Sequence, residues 1–83
     1  MTDEKFEELS QQIWMGYDHW GEELKEASKK WRTKHQAAYF AFENRRLHYL
    51  RRRVFDIIFS DLSDEQKLIE LEKILPHNGT TYL

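Results

Sequence analysis

Apolar residues recur at steps of three and four through the first third of the chain, at Phe6, Leu9, Ile13, Tyr17, Trp20, Leu24, Ala27 and Trp31. That spacing follows the 3.6-residue turn of an α-helix and gathers all eight on one stripe. A strand sends successive side chains to opposite faces and could not use such a pattern. The rest of the composition agrees. Valine and proline occur once each, at Val54 and Pro76, and glycine only at positions 16, 21 and 79. Leu, Glu, Lys, Arg, Gln and Ala dominate, and these lose little side-chain freedom in a helix. The predicted class is all-α.

Capping signals set the expected boundaries. Thr2 precedes Asp3, Glu4, Glu7 and Glu8, an N-cap followed by acids where the helix dipole favours them. Gly16 and Gly21 each weaken a helix by about 1 kcal/mol relative to alanine. The first helix therefore either runs unbroken over 3–31 or breaks between the glycines, and the continuous phase of the stripe favours the unbroken form. Thr33-Lys34-His35-Gln36 matches a capping box, so a second helix is expected over 33–60 after a very short turn. Ser63-Asp64-Glu65-Gln66 is a clearer box and opens a third helix over 63–75, closed by Pro76. Residues 76–83 form a tail with a turn at Asn78-Gly79. The expected architecture is one domain: an antiparallel hairpin of two long helices with a short third helix across its open end. A chain of 83 residues has a thin core, so pairing as a homodimer is expected as well.

Several function classes fall away at this level. There is no cysteine, hence no disulfide, thiolate metal site or cysteine nucleophile. No apolar run approaches the roughly 20 residues that span a bilayer. Met1-Thr2-Asp3-Glu4-Lys5 is too acidic for a targeting leader, which points to a cytoplasmic protein with no membrane partner. Glycine loops that cradle phosphate, nucleophile elbows and zinc-protease motifs are all missing, and neither an enzymatic activity nor a cofactor is expected. Asp18, His19, Glu22 and Glu23 could contribute to a metal site, but one imidazole and a few carboxylates make an incomplete set, better explained as a solvated face.

Charge is unevenly distributed. Residues 1–28 carry −6, residues 29–55 carry +8 and residues 56–83 carry −4, for a net charge of −2. In a continuous helix over 33–60, Phe40, Leu47, Leu50, Val54, Ile57 and Ile58 form the buried stripe. Phe42, Arg45, Arg46, Tyr49, Arg52 and Arg53 form the opposite face. An exposed Phe gains nothing from water, so two rings among four arginines call for an explanation.

Three explanations compete. The acidic first helix could cover this face inside the fold. A partner protein with an acidic surface could dock on it, since Tyr and Arg are over-represented at binding hot spots. Nucleic acid could bind there, with arginines on phosphates and rings stacked on bases, although such domains are usually basic overall. The leading function is a small non-enzymatic protein-binding module, an inhibitor or adaptor. Nucleic-acid binding is the alternative. A small helical enzyme using Arg45, Arg46, Arg52, Arg53 and Glu43 on an anionic substrate is a second one. Trp14 lies off the first stripe and either covers a neighbouring helix or marks a contact surface.

Overall fold

The computed structural model describes residues 1–75; Pro76, the Asn78-Gly79 turn and the rest of the tail lie outside the described residues. Within them the chain is all-helical and forms five α-helices with no strand. These are α1 (Asp3–Met15), α2 (Glu22–Trp31), α3 (Gln36–Glu43), α4 (His48–Ile58) and α5 (Asp64–Ile74), with a single 3-10 turn at Tyr17–His19 between α1 and α2. The two long helices are each broken in two. A straight helix over 3–31 would run roughly 43 Å at 1.5 Å per residue, whereas the longest extent of the molecule is 31 Å.

The first break falls at Gly16. Its φ of 106° and ψ of 164° lie in a region that only glycine enters readily. Its amide returns to the carbonyls of Gln12 and Ile13, which closes α1. The Gln12 side chain then reaches across the turn and accepts from the Gly21 amide at 2.8 Å. This stitch fixes the re-entry angle of α2 and lets Trp20 turn inward, so the apolar stripe keeps its phase while the backbone does not stay helical.

The second break falls at Asn44. Its side-chain oxygen accepts from the Arg46 amide at 2.9 Å, a local bond that competes with the next helical turn. Helix α3 therefore ends at Glu43 and α4 starts at His48. The cap of α3 also differs from the expected one. His35, not Thr33, occupies the N-cap and accepts from the Ala37 amide through Nδ1 at 3.0 Å, while its Nε2 meets Glu72 of α5 at 2.7 Å. Helix α5 begins as expected, with Ser63 Oγ accepting from the Gln66 amide.

One core joins all five helices. Phe6, Leu9 and Ile13 come from α1, Leu24 and Trp31 from α2, and Ala37, Ala38, Ala41 and Phe42 from α3. Val54, Phe55 and Ile58 of α4 and Leu71 of α5 complete it. The three alanines let α3 approach its neighbours closely, and α3 packs most extensively on α4. Phe42 sits between Trp20 and Phe55, with ring centroids 6.3 and 5.2 Å away.

Part of the charge is neutralised across the fold. Arg52 of α4 pairs with Asp3 of α1 at 2.8 Å, and Lys30 of α2 pairs with Asp64 of α5 at 3.0 Å.

Candidate functional site: an arginine and aromatic surface around Arg45

The six residues singled out on the second helix separate into two groups. Phe42 is a correction to the expected outward face: it is only 2 % exposed and belongs to the core. The cause is the break at Asn44. Position 42 lies one residue before the end of a short helix whose inner face is Ala37, Ala38, Ala41 and Phe42, so its direction is no longer tied to that of Tyr49. Arg52 also serves the fold. It donates to Asp3 and to the Met1 carbonyl, pairs with Asp56 one turn along, and lies over the Phe6 ring at 5.1 Å. The hydrogen bond to Asp3 pushes its guanidinium pKa above the usual arginine value.

The other four face outward. Arg45 and Arg46 lie in the turn between α3 and α4, and Tyr49 and Arg53 on the first turns of α4. Tyr49 is 75 % exposed. Arg53 stands over its ring at 5.7 Å and donates to its hydroxyl at 3.3 Å, which holds the two side chains together. Among the described residues no carboxylate lies within 4.0 Å of Arg45, Arg46 or Arg53. Arg32, by contrast, is matched by Glu43. Among the described residues, the exposed arginines without a carboxylate thus gather at the α3–α4 turn and the start of α4.

Two further rings, apart from the six residues of the second helix, reach the same surface. Trp14 is 56 % exposed and Tyr17 is 58 % exposed, both close to the end of α1. Arg45 connects them, because it borders two clefts of about 310 Å³ each. One is shared with Trp14, His48 and Arg51, and the other with Tyr17, Trp20 and Phe42. Gly16 brings its backbone to the same place; a β-carbon there would stand 3.7 Å from the Arg45 Nη2. Phe42 therefore does reach the neighbourhood of Arg45, as a cleft wall and not as an exposed ring. Periodicity places Tyr17 on the buried stripe, and the 3-10 turn after Gly16 moves it outward. Trp14, off that stripe, carries the sequence signal for this surface.

The result is an exposed rim of rings and guanidinium groups with two shallow clefts, suited to planar contacts and to carboxylate recognition. Asp18, His19, Glu22 and Glu23 are exposed, and the described residues contain no group of three or more His, Asp or Glu arranged to hold a metal ion. Among the same residues no helix is long and apolar enough to cross a membrane. In comparisons with protein families, curated proteins and solved structures, no family model, no curated protein and no solved structure matches the chain.

Proposed function

We propose that the chain is a small non-enzymatic protein-binding module, an inhibitor or adaptor, that docks an acidic partner through Arg45, Arg46, Tyr49 and Arg53 with Trp14 and Tyr17. The observation that carries this is the coincidence of exposed rings with arginines that, among the described residues, have no carboxylate of their own. A guanidinium already paired within the fold has little to offer a partner. These three are unpaired, and Arg53 and Tyr49 are ordered against each other before any docking, which lowers the entropy cost of an interface. Rings of this kind are hot-spot residues because they cover much area with few rotatable bonds.

The test is capture of a partner from lysate by the intact chain and by a triple variant, Arg46→Ala, Tyr49→Ala and Arg53→Ala. All three side chains lie on the surface, so the circular dichroism spectrum and Tm should hold. Capture of one defined acidic protein should fall by at least about tenfold, the loss expected for one hot spot. Unchanged capture by a folded variant removes this surface from consideration. The same unpaired arginines and exposed rings would also suit single-stranded nucleic acid, whose binding must weaken steeply with salt. A mobility-shift titration at two salt concentrations tells the two apart.

A further inference from the structure

Arg51 is a guanidinium taken out of water without a carboxylate to meet it. It is 1 % exposed. Its Nε donates to the Ala41 carbonyl at 3.2 Å and its Nη2 to the Asn44 carbonyl at 2.6 Å. Its Nη1 lies 3.3 Å from His48 Nδ1. Arginine only donates, which assigns Nδ1 as the acceptor and the ring proton to Nε2. No Asp or Glu among the described residues lies within 4.0 Å of the group. Burial with no compensating acid lowers its pKa from the ordinary arginine value.

This charge lies against the cleft between α1 and α4. Arg45, His48 and Trp14 border the same space, together with Ser10 and Glu7. The Ser10 hydroxyl oxygen is shielded from solvent and, among the described residues, has no hydrogen-bond partner; the residue is 3 % exposed. Helix α4 starts at this cleft with its positive end. Leu47, its N-cap, offers no side-chain acceptor, and its first turn carries no acid. Two guanidinium groups against the single carboxylate of Glu7 leave the cleft with a net positive charge near one.

We propose that this cleft binds a small carboxylate monoanion, held by Arg45 and His48 over the Arg51 charge, with the Trp14 indole as its apolar wall. Glu7 disfavours doubly charged anions, so inorganic phosphate should bind more weakly than a carboxylate. The carboxylate is either free or the side chain of an acidic residue on another protein. The cleft shares Arg45 and Trp14 with the docking surface, but Arg46, Tyr49 and Arg53 do not border it, so the two readings are tested apart by substitutions at those three.

The experiment is a titration of the intact, isotope-labelled chain at constant ionic strength with acetate, with glutamate blocked at both its amino and α-carboxyl ends, and with inorganic phosphate. The readout is the NMR resonances of the arginine Nε–H groups and the tryptophan indoles. Saturable shifts at Arg45, Arg51 and Trp14 are expected, with a dissociation constant of about 1–10 mM for a few charge-assisted bonds. Arg45→Gln should weaken binding about tenfold. Ser10→Ala should weaken it about threefold without lowering Tm, since its hydroxyl makes no bond among the described residues.

Tighter binding of blocked glutamate than of acetate identifies a protein side chain as the source; equal binding identifies a free carboxylate. A phosphate-only response, or shifts that never saturate, overturns the proposal and leaves Arg51 as a clamp for the carbonyls of α3. Loss of partner capture in the Arg46, Tyr49 and Arg53 variant bears on the docking surface alone.

Discussion

Arg51 occupies a core position by helical phase. It stands one turn before Phe55 and three residues before Val54, at the start of the stripe of Val54, Phe55 and Ile58 that buries α4. A charge at such a position is tolerated because α3 ends beside it. The Ala41 and Asn44 carbonyls, left open where a helix stops, are acceptors at the negative end of the α3 dipole. The residue is therefore a tertiary C-cap as well as a cation. Arg51→Ala removes those donors and opens a cavity, and the expected loss is about 2–4 kcal/mol. Arg51→Met keeps most of the volume and also removes the cost of burying a charge, so it should recover roughly half of that loss. Urea unfolding monitored by circular dichroism measures both. A neutral Arg51→Ala would show that the carbonyls are equally well served by water.

At the scale of the element, the breaks decide the shape. Gly16 holds a backbone conformation that costs a residue with a side chain about 1–3 kcal/mol. A β-carbon there would meet Arg45 only at ordinary contact distance, so strain and not collision sets the penalty. Gly16→Ala should lower Tm by roughly 5–15 °C, whereas the same change at Gly21, with a φ of −78°, should cost much less. Equal effects at the two glycines would contradict this account.

The same two breaks mark what was legible in the sequence. The helical class, the Ser63 cap and most of the buried stripe in residues 6–31 follow directly from spacing and capping chemistry. The stripe's unbroken phase concealed the turn after Gly16, because the Gln12 side chain to Gly21 amide bond restores the phase through a non-helical path. Asn44 is a weak breaker in isolation, and its turn is secured by Arg51 seven residues later in the chain, a tertiary contact with no local signature. Four of the six expected site residues face outward. Phe42 is buried because its helix stops one residue on, and Arg52, half-buried at the surface, is engaged by Asp3 and Asp56.

Across the whole molecule, α5 is tied to α2 by the Lys30–Asp64 ion pair and carries the Glu70–Lys73 pair within itself, and both titrate in acid. Asp64 carries a pKa below the ordinary aspartate value, first because Lys30 donates to it, and Glu70 is lowered by its bond to Lys73. A carboxylate with a depressed folded-state pKa stabilises the fold fully above its unfolded value and loses that contribution as pH falls through the folded one. Helicity should therefore be flat from neutral pH to about pH 5 and fall below about pH 4. Lys30→Met should shift that acid transition to higher pH by removing the Asp64 partner. Lys5 and Arg52, both raised by their acidic neighbours, act only at the alkaline extreme. A pH titration of the far-UV circular dichroism signal of the two proteins checks the order, and coincident transitions would rule out the Lys30 pair as a contributor.

None of the five helices exceeds 13 residues. Peptides of that length are mostly coil in water, since nucleating a helix costs more than a few turns return. Each segment here thus owes its regularity to the neighbours it leans on, and secondary structure should appear and disappear in one concerted step. An excised α1 or α5 would not persist as a rod, and nicking a single connecting turn should release the whole assembly at once.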